Sequence, residues 1–284
     1  MRINGSVIGS TVTSSFINGA SGAWSLQNVE IANRQFTWPT NVITNGLKLF
    51  LDTSNTNSYP GSGTIWYDLS TNNSNFTLGC TGTSCTNPTF SNNAIKTSFS
   101  TTTQNYADCS SVTTTLKNLL YGDHTIEIAC KINSLTRGID LNSAYTTETI
   151  TGMIIWPGFH SGLYMDNVNL IYNIWNGTTN QQGTGVGITS YVGQNIVINA
   201  VRISNTLYIY INGNLIVSAN ISSTTNYGYN NLRLGTARTD LTVSGNSYTW
   251  PSNIDFYTVK LYNIGFDQSQ VTQNFNATRT RFGL

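Results

Sequence analysis

From Leu47 onward, the sequence consists of short runs in which apolar and polar residues alternate. The run HTIEIACKI, His124–Ile132, shows it best: its even-numbered residues share one face and its odd-numbered residues the other. Because successive side chains of a strand point to opposite sides, this run predicts a strand with one core face and one wetter face. Asn, Gly, Ser and Pro separate the runs, and helical periodicity is nearly absent. The pattern favours an antiparallel sandwich or barrel.

One hairpin is predicted from its turn residues alone. In TLYIYINGNLIVSAN, Thr206–Asn220, the pair Asn212-Gly213 joins two alternating runs and supplies the positive φ angles of a type I′ turn. The regular spacing of the remaining strands suits two packed antiparallel sheets. These strands are predicted near Leu47–Asp52, Met153–Trp156, Asn169–Trp175, Asn195–Ile203 and Asn253–Asn263.

Only one helix is predicted, close to the end of the chain in FDQSQVTQNFNATRTRF. Asp267 is a suitable N-cap, and Gln270 sits at the third helical position, where its side chain can reach back. Phe266 and Val271 have the spacing of a hydrophobic staple. The helix is expected at about Gln268 to Ala277.

Composition excludes several classes of partner. Charged residues make up 9% of the chain, the net charge is +1 and the pI is about 7.6, with lysines and arginines scattered singly. No basic stripe is available to neutralise phosphates, so nucleic acid is not an expected partner. No apolar run approaches the roughly 18 residues of a membrane span, and no secretory signal opens the sequence. We therefore expect no membrane partner and synthesis in a cytosol.

The four cysteines give no metal motif. None of Cys80, Cys85, Cys109 and Cys130 forms a C-x-x-C pair, which argues against a structural zinc site. Cys80 and Cys85 flank a turn-rich loop that a disulfide could close, whereas a cytosolic origin favours free thiols. Both alternatives stay open.

Residues 1–43 differ from the rest of the chain. The segment is rich in small residues and is too short and too polar to hold a core of its own. It is therefore predicted to be an extended arm, and residues 44–284 to be one domain. The large side chains spaced along the arm are its expected anchors on a partner: Phe16, Trp24, Leu26, Phe36 and Trp38.

Two stretches of the sequence carry a family resemblance. Gly46–Leu78 contains an aspartate, Asp52, then Ser-Tyr-Pro-Gly-Ser-Gly, Trp66 and Asp-Leu-Ser; Val259–Leu284 contains Tyr-Asn, Asn-Phe-Asn and Arg-Thr-Arg-Phe-Gly. Together they resemble the first and last strands of the concanavalin A-like, laminin-G-like modules of bacteriophage virion proteins. The segment Ala20–Leu26, followed by Trp38-Pro39, is similar to the leader of phage tail and capsid-surface proteins.

The resemblance implies a fold and a biological role. The implied fold is an all-β, two-sheet antiparallel jelly-roll sandwich of concanavalin A-like type, with an extended N-terminal arm and one short C-terminal helix. The implied role is that of a virion structural protein, a capsid-decoration or other particle-surface protein assembled in the host cytoplasm. Its partners would be capsid, neck or tail proteins, and it would act as a homo-oligomer or in symmetry-repeated copies, with no cofactor.

A catalytic function is not expected. Glycoside hydrolysis needs two carboxylates held about 5 to 10 Å apart, and neither Glu127 nor Glu148 has an obvious second acid. His124 and His160 have no nucleophile or second histidine near them and are expected at a strand edge or in a loop.

Two kinds of ligand are compatible with such a sandwich. The resemblance allows calcium at Asp52, Asp68 and Asp255, although these acids are better explained as turn formers through Asx hydrogen bonds. The alternative to a virion role is a receptor-binding module that recognises host glycans through aromatic loops. The same aromatic residues could instead complete the core or line a subunit interface: Trp156, Phe159, Tyr164, Tyr227 and Tyr229.

Overall fold

The computed structural model describes most of the unit that spans Asn41–Leu284. All five predicted arm anchors lie outside the described residues, as do Cys80, Cys85, Glu148, Phe159, His160, Tyr227 and Tyr229. In the described part of the chain, no helix has the length and hydrophobicity needed to cross a membrane. The described residues are 41–79, 86–100, 103–109, 111–136, 150–158, 161–175, 180–182, 185–222, 232–236, 242–243, 246–247 and 250–284.

An eight-stranded antiparallel sheet, sheet A, forms one layer of the unit. Its strands lie in the order β15-β14-β13-β7-β19-β5-β4, and β1 pairs with β19 beside β5. The strands are β1 (Leu47–Asp52), β4 (Thr89–Ser91), β5 (Ala94–Thr97), β7 (His124–Ile132), β13 (Asn195–Ile203), β14 (Thr206–Ile211), β15 (Asn214–Asn220) and β19 (Ile254–Tyr262).

A nine-stranded antiparallel sheet, sheet B, forms the second layer. Its order is β11-β10-β9-β8-β16-β6-β3-β2, with β12 also pairing β10, and a separate two-stranded ribbon joins β17 to β18. The nine strands of the sheet are β2 (Ile65–Trp66), β3 (Phe76–Leu78), β6 (Ala107–Cys109), β8 (Ile150–Gly158), β9 (Ser161–Asp166), β10 (Asn169–Trp175), β11 (Asn180–Gln182), β12 (Val186–Gly187) and β16 (Leu232–Leu234). The ribbon consists of β17 (Thr242–Val243) and β18 (Asn246–Ser247).

The main hydrophobic core lies between the two sheets. Sheet A contributes alternate residues such as Ile126, Ile128 and Cys130, and sheet B contributes residues such as Leu163 and Tyr172, all buried in one cluster. Burial of this apolar surface is the main stabilising term for such a sandwich. The predicted fold class, an all-β two-sheet antiparallel jelly-roll sandwich, is confirmed.

Helices are few, as the sequence indicates. The C-terminal helix α2 spans Gln268–Thr278, and a single-turn helix α1, which was not predicted, spans Thr114–Lys117. The predicted capping box is present, because Asp267 accepts from the Gln270 backbone and Gln270 reaches back to the Asp267 backbone. The shorter 3-10 turns are Leu119–Tyr121, Thr189–Tyr191 and Arg279–Phe282.

The prediction that β7 has one wetter face is wrong. Thr125, Glu127 and Ala129 on that face are as buried as the core residues between them. Helix α2 and the turn after it cover this outer face of sheet A, where the apolar members pack in two small clusters. The covering residues follow β7 by about 140 positions, so the local pattern of the strand could not indicate them.

The predicted hairpin is confirmed, including its turn. Asn212 and Gly213 have φ angles of 52° and 79°, as a type I′ turn requires. Gly213 lies against the C-terminal helix: a Cβ atom there would stand 2.8 Å from Cδ1 of Phe275. The Gly213 carbonyl also accepts a 2.8 Å hydrogen bond from Gln268 Nε2. The turn is therefore a docking point for α2 as well as a connection.

The two stretches that carry the family resemblance meet in space. Arg281 donates hydrogen bonds from both Nη1 and Nη2 to the Asp52 carboxylate, so the end of the chain is fixed to β1. Within α2, the side-chain oxygen of Asn274 accepts a 2.8 Å hydrogen bond from the Ile43 backbone amide. Residues 41–43, assigned to the arm from the sequence, thus contact the sandwich.

Candidate functional site

Helix α2 covers part of the outer face of sheet A, and beneath it lies a buried polar cluster, which we define as Glu127, Asn199, Lys260 and Asn274. Asn199, Glu127 and Lys260 are direct register neighbours on β13, β7 and β19, and Asn274 approaches from α2. Each residue of the polar cluster is at most 3% exposed. The polar cluster is therefore inaccessible to a ligand while α2 covers it.

Glu127 is the centre of the polar cluster. Its Oε1 lies 2.7 Å from Lys260 Nζ, while Oε2 accepts from Asn199 Nδ2 at 3.1 Å and from Asn274 Nδ2 at 3.0 Å. Burial raises the pKa of this carboxyl, but the Lys260 charge and the three hydrogen bonds outweigh it and lower the pKa below its usual range. Glu127 is therefore a carboxylate paired with an ammonium, which the sequence had left without a partner.

The outer face of sheet B has a different character. Asp108 lies between two core residues of β6, and Arg233 lies between two core residues of β16, so both side chains project away from the core. Arg233 Nε is 3.0 Å from Asp108 Oδ1, and the Arg233 guanidinium stands 5.9 Å from the centre of the Tyr106 ring. The Asp108 side chain is 21% exposed. The Asp108 carboxylate of this pair thus reaches the surface, while Arg233 and Tyr106 are buried beside it.

An apolar group lies on the same face of sheet B. Tyr164 on β9 packs with Ile171, its direct partner on β10, and with Trp250 in the segment before β19. Of the predicted aromatic residues, Tyr164 belongs to this buried group outside the main core. Trp156 holds the register position opposite Arg233, but its side chain lies outside the described residues. The structure therefore brings Trp156 and the Asp108–Arg233 pair onto neighbouring strands.

The sequence reasoning missed Tyr106, Asp108, Arg233 and Trp250. The available signal was weak: LRL and ADC each place one charged residue between two apolar ones, as expected of a strand with a functional outer face. Strands of three residues are too short to show periodicity, so neither run was recognised. Their pairing across 125 positions had no local signal at all.

The three candidate calcium ligands lie in separate places. Asp52 and Asp68 each accept from the backbone amide two residues later, as the Asx interpretation expects. Asp68 also accepts from the amides of Phe50 and Ser74, while Asp255 pairs with Lys96 at 3.0 Å. Among the described residues, no three acidic, histidine or cysteine side chains come together as a metal site. A calcium site at these positions stays a prediction without support from this geometry.

His124 is neither at a strand edge nor in a loop, so that prediction is wrong. It opens β7 at the centre of sheet A, is fully buried, and its Nε2 hydrogen-bonds the Tyr172 hydroxyl of sheet B. Nδ1 lies 2.8 Å from the Gly122 carbonyl. Burial lowers the pKa of His124 to about 3. The imidazole is a neutral link between the two sheets.

Comparison with known proteins gives no family assignment from sequence. No family model matches this chain, and no curated protein matches it. The fold nevertheless has solved counterparts.

Binding domains of botulinum neurotoxins are similar in structure to this chain. One, of neurotoxin DC in complex with SialylT, matches with a TM-score of 0.58 and 14% identity over 82% of this chain and 51% of its own. The binding domain of serotype C1 matches with 0.58 and 16%, over 82% and 52%. A third, of type C, described as dependent on two ganglioside molecules to enter cells, matches with 0.57 and 12%, over 82% and 51%. The chain spans about half the length of these proteins, and at such low identity the similarity establishes the fold: a two-sheet β sandwich of jelly-roll type.

Proposed function

We propose that this chain is a non-enzymatic carbohydrate-binding module whose ligand surface is the outer face of sheet B around Asp108 and Arg233. The single observation that carries the proposal is the contrast between the two outer faces. The chain's own C-terminal segment covers the Glu127–Lys260 pair on sheet A, whereas the Asp108 carboxylate on sheet B, paired with Arg233 beside Tyr106, is partly exposed.

The chemistry of this surface suits a polyhydroxylated ligand. A carboxylate accepts hydrogen bonds from sugar hydroxyls, and a guanidinium held in place by that carboxylate donates to ring and hydroxyl oxygens. Tyr106, only 5% exposed, supports the Arg233 guanidinium through its ring and so helps to fix the pair. The described neurotoxin domains, named for a sialyl ligand and for gangliosides, support a glycan as the ligand class.

We propose a non-enzymatic function because the carboxylates of the two outer faces are not arranged for acid-base catalysis. Glu127 is buried and accepts three hydrogen bonds, and Asp108 is paired with the cation Arg233. Neither pairing provides the separate acid and base that hydrolysis of a glycosidic bond requires.

The test is a glycan array followed by titration of the best binder against two matched variants. Asp108→Asn removes the charge of an ion-paired strand aspartate on sheet B, and Asp255→Asn does the same on sheet A. We expect Asp108→Asn to weaken binding at least tenfold and Asp255→Asn to leave it within twofold, with both variants folded by circular dichroism. Equal loss in both variants, or no binding to any glycan, would contradict the proposal.

A second candidate function, attachment to a bacteriophage particle, is supported by the sequence resemblance described above. On this proposal residues 1–43 dock onto other virion proteins, with Trp24 and Trp38 as anchors. Mixing the full chain, or the chain without residues 1–40, with particles that lack the protein tests it by co-sedimentation. Binding of the full chain alone supports the arm as the attachment, and failure of both to bind argues against a virion role.

A further inference from the structure

The polar cluster on sheet A joins an amine and a carboxamide through one carboxylate. Lys260 Nζ binds Oε1 of Glu127, and the amide nitrogen of Asn274 binds Oε2 of the same group. The surroundings are dry: all three side chains are at most 3% exposed, and Nζ faces the Phe50 ring at 5.6 Å. The amine and the carboxamide are therefore held next to each other by the two oxygens of one carboxylate.

We propose that Lys260 and Asn274 become linked by an intramolecular isopeptide bond, with Glu127 as the proton-transfer residue. The polar cluster is thus a self-modification site, independent of the ligand surface on sheet B.

The step balances within these three residues. Glu127 takes a proton from the Lys260 ammonium, which converts a buried ion pair into two neutral groups and leaves Nζ with a free electron pair. Nζ attacks Cγ of Asn274, the Nζ–Cγ bond forms, and the Cγ–Nδ2 bond breaks. The proton held by Glu127 and the second proton lost from Nζ pass to Nδ2, which leaves as ammonium, and Glu127 is again a carboxylate. No oxidant, metal or cofactor is consumed.

The geometry selects Asn274 over Asn199, the other amide on Glu127. The Asn274 carbonyl oxygen accepts a 2.8 Å hydrogen bond from the Ile43 backbone amide, which polarises Cγ and stabilises negative charge on the oxygen during attack. The Asn199 carbonyl oxygen is buried without a hydrogen-bond donor, so charge developing there would have no stabilisation. Asn199 therefore acts as a positioning residue that holds Glu127.

The product would fix the C-terminal helix permanently to the sheet. A bond from β19 to α2 closes the segment Lys260–Asn274 into a covalent ring, in addition to the Asp52–Arg281 ion pair that holds the last turn. Helix α2 would then stay attached to sheet A under conditions that break ion pairs.

The experiment is mass spectrometry of the purified full chain. Bond formation lowers the intact mass by about 17 Da, the mass of one ammonia molecule. Trypsin cannot cleave after an acylated lysine, so a digest of the denatured protein should contain Thr239–Arg279 as one piece, with the same deficit, instead of Thr239–Lys260 and Leu261–Arg279. A succinimide at an Asn-Gly pair gives the same mass change but leaves Lys260 cleavable, so the digest separates the two.

Matched variants make the result decisive. Lys260→Arg keeps the cation beside Glu127 but cannot act as the nucleophile, so its mass should equal that of its sequence. Asn274→Ala should also lose the deficit, while Lys96→Arg, in the separate Lys96–Asp255 pair on the same sheet, should retain it. An unmodified wild-type chain cleaved after Lys260 would overturn the proposal, as would a deficit that persists in Lys260→Arg; a link that maps to Asn199 would overturn the assignment of Asn274.

Discussion

The outer faces of the two sheets contain similar charged residues but bury them to different extents. Each has a charged pair between neighbouring strands: Glu127–Lys260 on sheet A and Asp108–Arg233 on sheet B. On sheet A both members are at most 3% exposed beneath a helix, whereas on sheet B the Asp108 side chain retains 21% exposure. The difference teaches that the surroundings, more than the residue types, decide whether a charged pair holds a fold together or remains available to a ligand.

The largest effect is expected from removing the cation under the helix. Lys260→Met leaves Glu127 charged, buried and unpaired, which should lower the free energy of unfolding by about 3–5 kcal/mol. On sheet B, Arg233→Met leaves a carboxylate that water can reach, and the loss should be smaller. Urea unfolding of both variants measures the difference; equal losses would show that the two faces are not distinct in this respect.

The stability that His124 contributes by linking the two sheets should depend on pH. His124 has a pKa of about 3 in the folded protein and an ordinary value near 6.5 when unfolded, so the unfolded chain binds the proton more readily between these values. Stability is therefore fully present above pH 6.5 and declines as the pH falls towards 3, by up to about 1.4 kcal/mol per pH unit.

Denaturation of the wild type and of His124→Gln at pH 7, 6, 5 and 4 isolates this contribution. The variant should lose less stability over the same range, because its side chain binds no proton. Parallel pH curves for the two proteins would show that His124 is not responsible.

The contact between the hairpin turn and α2 should also be measurable. Gly213→Val forces a branched residue into a positive φ angle and places its Cβ 2.8 Å from the Phe275 ring, so we expect a loss of about 2 kcal/mol. Gly193→Val is a suitable control, because Gly193 has the same φ of 79° but no atom within 4 Å of its Cβ position. A smaller loss for the control gives the share due to α2; thermal melting that is unchanged in Gly213→Val would contradict the turn assignment.

The smallest effect on stability is expected from removing residues 1–40. The described unit begins at Asn41 and has its own core, and Ile43, which contacts α2, is retained. The melting temperature should change by no more than about 2 °C, since less than 1 kcal/mol is at stake. Differential scanning calorimetry of both chains measures the change; a cooperative transition that disappears on truncation would make the arm part of the fold.

The fold could be predicted from the sequence wherever a strand or helix carried its own signal. Asn169–Trp175 and Asn195–Ile203 were predicted to the residue, and α2 ends one residue beyond its predicted end, because alternation, turn residues and a capping box are local features. Strands of two to four residues, such as β6 and β16, carry no measurable period and were not predicted.

The candidate site could not be predicted in the same way, because its residues are distant in sequence. Asp108 and Arg233 are 125 positions apart, and Glu127 and Asn274 are 147 apart. Their pairing depends on which strands become neighbours, which alternation alone does not determine. The aromatic residues chosen from the sequence were chosen for residue type, whereas strand order decides which of them share a face.

Both ends of the described unit belong to the same layer. Ile43 is bound by α2, and Leu284 packs with Phe282 against Ala129 and Val197, so each end lies over sheet A. A tag or fusion at Leu284 would extend from the side of the sandwich opposite sheet B. When the protein is captured on a sensor chip through that end, the Asp108–Arg233 surface should point towards the flowing solution. This orientation makes C-terminal immobilisation the natural format for ligand screening.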